Sequence, residues 1–96
     1  MKVEVEDQVL DFVRRLPPDS KRMVRDALRA LAEGKGDIKA LEGPLDAYCR
    51  LRIGRYRIIF AYAGRRTIRC IFAERRGIVY EVFAQAVADE LAGRRR

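Results

Sequence analysis

The clearest pattern in the chain is an alternation of apolar and basic residues from Cys49 to Phe60, C-R-L-R-I-G-R-Y-R-I-I-F. Successive side chains of a β-strand point to opposite faces, so this alternation predicts strands with one apolar face and one basic face. Gly54-Arg55 interrupts the run as a short turn, which makes the segment a β-hairpin. Three arginines share its polar face without an acidic residue beside them in the hairpin: Arg50, Arg52 and Arg57. We interpret that face as a cationic platform.

The first half of the chain predicts a short strand followed by two helices. Lys2 to Val5 alternates and can form an edge strand. Apolar residues at helical spacing predict a helix over residues 8–16 with Asp7 as its N-cap, and Pro17-Pro18 ends it. Proline is favoured in a first helical turn, so a second helix starts there and extends to about Glu33. The short connection predicts an antiparallel helical hairpin.

The second half predicts a linker and then a meander of strands. Residues 34–47 are rich in turn formers and predict a connection without regular structure. The elements predicted after it are the hairpin with a second strand reaching Ala63, a strand Thr67–Ala73, a strand Ile78–Phe83 and a helix Ala84–Leu91. The predicted fold is α+β, in one domain over residues 1–96. A helical hairpin packs on the apolar face of a small, mostly antiparallel twisted sheet with a short C-terminal helix, and the basic face stays open to solvent.

The charge is distributed unevenly along the 96 residues, which carry a formal net charge of +7. Residues 1–47 hold nine Lys/Arg and ten Asp/Glu, whereas residues 48–96 hold twelve arginines and four acids. A GC-rich genome or a thermophile surface would favour arginine over lysine, but neither explains why the acids stay in the first half. The segregation favours a polyanionic partner, most commonly a nucleic acid.

Several kinds of site and location are disfavoured by composition. Cys49 and Cys70 fall on predicted core faces and are expected to be buried free thiols. The chain has no histidine, so a metal site is hard to build, and we expect neither metal nor cofactor. No apolar run approaches the roughly 20 residues of a membrane span, and the start lacks a signal-peptide core, so we expect a cytoplasmic protein without a membrane partner.

Four short motifs carry a likeness to a known family. They are L-P-P at Leu16–Pro18, L-x-G at Leu41–Gly43, R-L-R-I-G-x-Y-R-I-I-F at Arg50–Phe60 and R-R-G-x-V-Y at Arg75–Tyr80. With these motifs, nearly the whole chain resembles the RelE/ParE toxins of bacterial type II toxin–antitoxin systems. The R-L-R-x-G-x-Y-R core is specific when R-x-x-x-Y follows about twenty residues later.

The resemblance implies a metal-independent endoribonuclease that enters the ribosomal A site and cuts messenger RNA there, which inhibits translation. The ribose 2′-hydroxyl attacks the neighbouring phosphate. The residues that match the catalytic positions of the RelE branch are Arg50, Arg52, Arg57, Arg76 and Tyr80. We expect three further arginines to bind RNA: Arg55, Arg69 and Arg75, the last standing where many relatives have histidine. The implied partners are a cognate antitoxin, the ribosome and mRNA, and the free toxin is expected to be a monomer or weak dimer.

The residues leave the proton-transfer step open. Arginine cannot act as a free base, so Tyr80 is the candidate, with Glu74 and Glu81 as the remaining titratable groups nearby. Arg57 has a purely structural alternative, an ion pair with Glu42 or Asp46. Two other functions also stay open: a DNA gyrase poison like the ParE branch, and an RNA-binding protein without catalytic activity.

Overall fold

The computed structural model describes residues 1–77 and 79–94, and in these it has five β-strands and three α-helices. In chain order the elements are β1 Lys2–Val5, α1 Asp7–Arg14, α2 Pro18–Ala32, β2 Asp37–Ala40, β3 Cys49–Ile53, β4 Tyr56–Tyr62, β5 Thr67–Arg75 and α3 Val79–Arg94, with a 3-10 turn at Gly43–Leu45. None of these helices is long and apolar enough to cross a membrane.

The five strands form one sheet in the order β1-β5-β4-β3-β2. β1 runs parallel to β5, and the other pairs are antiparallel. The α+β class and the mostly antiparallel sheet are therefore confirmed, as are the edge position of β1 and the hairpin of β3 and β4.

The main core lies between one face of the sheet and the helices α1 and α2. It contains Val9, Val24, Leu31, Leu51, Ile58, Phe60 and Ile68, all at most 1% exposed. Two polar contacts fix the helices to the sheet. The Gln8 amide both donates to and accepts from the backbone of Ala73, at 2.8 and 2.7 Å, and the Tyr56 and Ser20 hydroxyls are 3.1 Å apart. Tyr56 is buried. Asp7 does not cap α1; Glu6 holds the N-cap position without a side-chain hydrogen bond.

A second, smaller core covers part of the opposite face, so the prediction that this face is open to solvent is wrong. Phe83 of α3 packs against Ile59 there, with ring contacts to Tyr48 at 4.9 Å and Phe72 at 5.7 Å. A β-bulge between Ile59 and Phe60 leaves Ile71 as an extra residue on β5, and it packs into this core too. Bulges of this kind re-aim neighbouring side chains.

The predicted strand Ile78–Phe83 is also wrong, because the described part of that segment begins α3. V-Y-E-V-F alternates over only five residues, and a segment that short does not distinguish the two-residue period of a strand from the period of about 3.6 residues of a helix. The alanine-rich sequence that follows favours a helix. Phe83 and Val87, four residues apart on one helix face, both pack into the second core. Ile78 lies outside the described residues.

The linker predicted over residues 34–47 contains a strand that the sequence does not reveal. β2 pairs antiparallel with β3, with Asp37 opposite Arg52 and Lys39 opposite Arg50. Its four residues D-I-K-A hold a single partly buried large apolar side chain, Ile38, so no periodicity marks it. This segment forms a strand because it pairs with the edge of β3 that β4 does not occupy.

Both thiols are free, as predicted from the sequence, but only Cys70 is fully buried and Cys49 is partly buried. Phe60 of β4 stands between Cys49 and Cys70 in the strand register. Two strand spacings, about 9–10 Å, exceed what a disulfide can bridge. Burial raises the pKa of Cys49 and raises that of Cys70 to about 12, so both side chains are poor nucleophiles.

Candidate active site

The basic residues of three adjacent strands converge on the face that also carries α3. Arg52 of β3 lies opposite Arg57 of β4, and Arg50 of β3 lies opposite Lys39 of β2. Directly paired residues in an antiparallel sheet point to the same face. The pairing of β2, β3 and β4 therefore gathers four cations on one surface.

That surface forms a cavity of about 310 Å³, hereafter the basic cavity. Its lining residues are Lys39, Arg50, Arg52, Arg57, Arg76, Gly77 and Tyr80. All five residues for which the family likeness implies a catalytic role line it together, although Arg50 and Tyr80 are 30 positions apart in the sequence. The sixth titratable residue of the lining, Lys39, belongs to none of the sequence motifs.

Arg57 is held rigidly in the wall of the basic cavity. It is 7% exposed, and its Nη1 donates to the carbonyl oxygens of Gly54 at 2.7 Å and Tyr56 at 2.9 Å. The turn between β3 and β4 thus orients the guanidinium, while Nε and Nη2 make no hydrogen bond to the described residues. Arg57 forms no ion pair within residues 1–77 and 79–94, so the structural alternative of a pair with Glu42 or Asp46 is wrong.

The positive charges of the basic cavity act on one another. Burial, and next the Arg52 guanidinium, lowers the pKa of Arg57 from its ordinary value. Arg50 and Arg76 act in the same direction, whereas Tyr80 acts in the opposite one. An arginine keeps its proton at neutral pH despite such neighbours. The repulsion is therefore present in the free protein and is relieved when an anion such as phosphate binds.

Asp37 on β2 is the acidic residue at this site that the sequence pattern does not reveal. Arg50 Nη1 lies 3.0 Å from Asp37 Oδ1 and donates to the Asp37 carbonyl oxygen at 2.9 Å. Arg52 Nε is 3.9 Å from Asp37 Oδ2. The hairpin itself has no acid on its basic face, but the neighbouring strand supplies one. Asp37 orients Arg50 and offsets part of the charge.

Replacing Asp37 by asparagine is expected to strengthen binding of a short single-stranded RNA by a few-fold at low salt. The change removes the carboxylate that competes with phosphate for Arg50 and Arg52, and salt screens the gain. Fluorescence anisotropy at two salt concentrations measures it. Asp26→Asn is the matched control, because Asp26 pairs with Arg29 on the exposed surface of α2. Equal affinities of the two variants at low salt would contradict this role of Asp37.

Arg76 and Tyr80 reach the basic cavity from the segment after β5. The Arg76 amide donates to the Arg55 carbonyl oxygen at 2.7 Å, which ties this segment to the β3–β4 turn. Gly77 then takes a φ of +99°, a conformation that favours glycine. Tyr80 follows in the first turn of α3 and is 38% exposed. Its position depends on the packing of α3 through Phe83.

The three arginines expected to bind RNA are not all brought together. Arg55 and Arg75 line a neighbouring cavity of about 710 Å³, which shares Arg52 and Arg76 with the basic cavity. Arg69 lies toward the other end of β5 and lines neither cavity. Its Nε is 3.5 Å from Glu4 Oε2 on β1.

The other titratable candidates lie outside the basic cavity. Glu74 lines a cavity beside α1 and accepts a hydrogen bond from the Arg75 amide at 3.0 Å, and Glu81 is not among the lining residues. Apart from the arginines, Lys39 and Tyr80 are therefore the only lining side chains in the described part of the chain with an ionisable proton. Over the same residues, no group of three or more His, Cys, Asp or Glu side chains is placed to hold a metal ion.

At the level of sequence, no family model and no curated protein matches the chain. Solved structures do match its fold. One is the YoeB/ParE toxin from Agrobacterium tumefaciens, with a TM-score of 0.66, 20% identity and coverage of 79% of this chain and 99% of that one. A second is the RelB-RelE antitoxin-toxin complex from Methanococcus jannaschii, with a TM-score of 0.66, 21% identity and coverage of 83% and 98%.

The isolated E. coli RelE toxin matches with a TM-score of 0.62 and 14% identity, over 90% of this chain and 97% of that one. At sequence identities this low, the structural similarity establishes the fold alone. The chain has the fold of the RelE, YoeB and ParE toxins, and the likeness drawn from its sequence motifs is confirmed at that level.

Proposed function

We propose that this protein is the toxin of a type II toxin–antitoxin system and a ribosome-dependent endoribonuclease that cuts messenger RNA in the A site. The observation that carries the proposal is the basic cavity, in which Arg50, Arg52, Arg57, Arg76 and Tyr80 meet on a RelE-like fold. The toxin names of the fold neighbours agree with it.

The proposed reaction is attack of a ribose 2′-hydroxyl on the adjacent phosphorus. The transition state carries additional negative charge on the phosphate oxygens. Guanidinium groups that are already oriented stabilise that charge without reorganising, and each well-placed donor contributes roughly 3–4 kcal/mol. Arg57 fits this role best, because two carbonyl oxygens hold its Nη1 while Nε and Nη2 remain for the phosphate.

The remaining arginines have distinct parts in the proposal. Arg50 and Arg52 leave Asp37 for the phosphate when RNA enters, and Arg76 closes the opposite wall. Arg55 and Arg75 bind the adjacent phosphates through the larger cavity that shares two arginines with the basic one. The Tyr80 hydroxyl orients the attacking 2′-hydroxyl in line with the bond that breaks, which lowers the entropic part of the barrier.

The proposed protein partner is a cognate antitoxin, as in the RelB-RelE complex among the fold neighbours. An apolar groove of about 310 Å³ lies between α1 and α2, on the side away from the basic cavity. Its apolar walls are Val5, Leu10, Val13, Val24 and Leu28, and Arg14, Lys21 and Arg25 line it as well. This combination suits an amphipathic antitoxin helix with acidic residues beside its apolar stripe. Free toxin is proposed to be a monomer or weak dimer, acting in the cytoplasm where ribosomes are.

The test adds purified protein to ribosomes translating a defined message and maps new RNA ends by primer extension. We expect cuts within the A-site codon that depend on translation and leave a 5′-hydroxyl on the downstream fragment. A parallel assay follows supercoiling by DNA gyrase. Loss of supercoiling without RNA cuts would overturn the proposal in favour of a gyrase poison. RNA binding without either effect would leave a protein that binds RNA and has no catalytic activity.

A further inference from the structure

RNA cleavage by 2′-hydroxyl attack requires a proton for the departing 5′-oxygen, which leaves as a strongly basic alkoxide. General acids usually supply it, and histidine is the usual residue near neutral pH. The chain has no histidine, and the four arginines of the basic cavity hold their protons too tightly to donate them. Tyr80 is assigned above to the attacking 2′-hydroxyl, so the leaving group still lacks a donor.

Lys39 is placed to fill that gap. It lies on β2 directly opposite Arg50, so its side chain emerges on the same face, and it lines the basic cavity with the arginines. The position of the strand is fixed by its ladder to β3 and by the Leu41 amide, which donates to the Tyr48 carbonyl oxygen at 3.0 Å. Lys39 is thus held in place by β2, the strand that pairs with the β3–β4 hairpin.

The ammonium group of Lys39 has no neutralising partner among the residues that the structure describes. Its side chain makes no hydrogen bond or ion pair within residues 1–77 and 79–94, and the nearby carboxylate of Asp37 is engaged by Arg50 and Arg52. A lysine held in such an ion pair would not be available to a ligand. A lysine also carries one compact charge that can lose its proton, whereas arginine offers a fixed fork that cannot.

Lys39 also stands where the RNA chain would leave the basic cavity. Lys39 and Tyr80 together line a second cavity of about 320 Å³, whose other lining residues are Ala40, Leu41, Glu42 and Leu45. Its apolar walls suit a nucleoside more than a phosphate. A nucleotide chain with its scissile phosphate among the arginines and its next nucleoside in this second cavity passes Lys39 at the bond between them.

We propose that Lys39 is the general acid that protonates the leaving 5′-oxygen; this rests on the endoribonuclease function proposed above. The 2′-oxygen forms a bond to phosphorus as its proton passes through the Tyr80 hydroxyl to solvent water. The bond from phosphorus to the 5′-oxygen breaks, with both electrons going to oxygen, and the Lys39 Nζ proton moves onto it. The products are a cyclic phosphate and a 5′-hydroxyl, and the neutral lysine recovers a proton from water.

The experiment compares wild type, Lys39→Ala and Lys39→Arg on ribosomes programmed with two messages. One has the normal 5′-oxygen at the bond that wild type cuts, and the other has a bridging 5′-sulfur there. A thiolate leaves without needing a proton because thiols are far more acidic than alcohols. Lys35→Ala is the matched control, since Lys35 is exposed and pairs with Glu33 outside the lining of the cavities described here.

We expect both Lys39 variants to cleave the normal message at least about 100-fold more slowly than wild type, the usual lower bound for general acid catalysis. On the 5′-sulfur message they should come within a few-fold of wild type. Lys35→Ala should cleave both messages at the wild-type rate. Thermal melting confirms that each variant is folded.

Two results would overturn the assignment while leaving the nuclease function intact. One is cleavage of the normal message by Lys39→Arg at the wild-type rate, which would mean that positive charge alone suffices. The other is an equal defect of the Lys39 variants on both messages, which would assign Lys39 to RNA binding. If wild type cuts neither message, the proposed function itself fails.

Discussion

Replacing Arg57 by alanine is expected to lower the rate of A-site cleavage about 1,000-fold. This is the upper end of the effect of removing one oriented donor from a site that stabilises developing negative charge. We expect an effect of this size because Arg57 is buried and the carbonyl oxygens of Gly54 and Tyr56 fix its orientation. Single-turnover cleavage on programmed ribosomes measures the rate.

The effect of Arg57→Ala on the cleavage rate must be separated from its effect on folding. The change leaves two carbonyl oxygens without their donor, which costs about 1–3 kcal/mol if water does not replace it, but it also relieves repulsion from Arg52. Urea unfolding therefore accompanies the rate measurement. Arg57→Lys keeps the charge but loses the fork, and should recover little activity. Arg22→Ala, an exposed arginine of α2, is the control and should cleave normally. Wild-type cleavage by folded Arg57→Ala would contradict the assigned site.

Replacing Phe83 by alanine is expected to destabilise the fold by about 3–5 kcal/mol, the usual range for truncating a buried phenylalanine. Phe83 is 3% exposed and makes ring contacts with both Tyr48 and Phe72. The second core is small, with Phe83 and Ile59 as its buried residues, so few other contacts compensate. Urea unfolding measures the loss.

The same change is expected to reduce cleavage because α3 carries Tyr80. Hydrogen exchange should show the amides of α3 losing protection while those of β4 in the main core keep most of theirs. Val82→Ala is the matched control, since Val82 is the preceding residue and 40% exposed; it should alter stability by no more than about 0.5 kcal/mol. Equal stability of the two variants would show that Phe83 does not hold α3 to the sheet.

Local patterns were sufficient for much of the fold. The alternation in β3 and β4 and the turn at Gly54 are decided by contacts between neighbouring residues, and so are the ends of α1 and α2 near Pro17-Pro18. In each case the period or the conformational limit of a residue type acts over a few positions. The cationic face of the hairpin followed directly from the strand period.

Local patterns failed where a segment takes its structure from a distant partner. D-I-K-A becomes a strand because β3 offers an unpaired edge, and V-Y-E-V-F becomes helical because Phe83 meets the rings of Tyr48 and Phe72. The same applies to one arginine: nothing near Arg69 in sequence indicates its pairing with Glu4, which comes from the parallel contact of β1 with β5.

The sequence by itself determined the sheet-and-helix class, the apolar face that α1 and α2 cover, and the group of basic residues that the family motifs connect. Only the tertiary structure decided which groups share the basic cavity. Pairing of β2 with β3 added Lys39 to it and placed Asp37 against Arg50 and Arg52, and packing of α3 set the position of Tyr80. The physical reason is the distance in sequence over which each effect acts. Periodicity depends on neighbouring residues and shows which face of its own strand or helix a side chain occupies. The chemistry of a site depends on which strands and helices lie side by side, and these can be far apart in sequence.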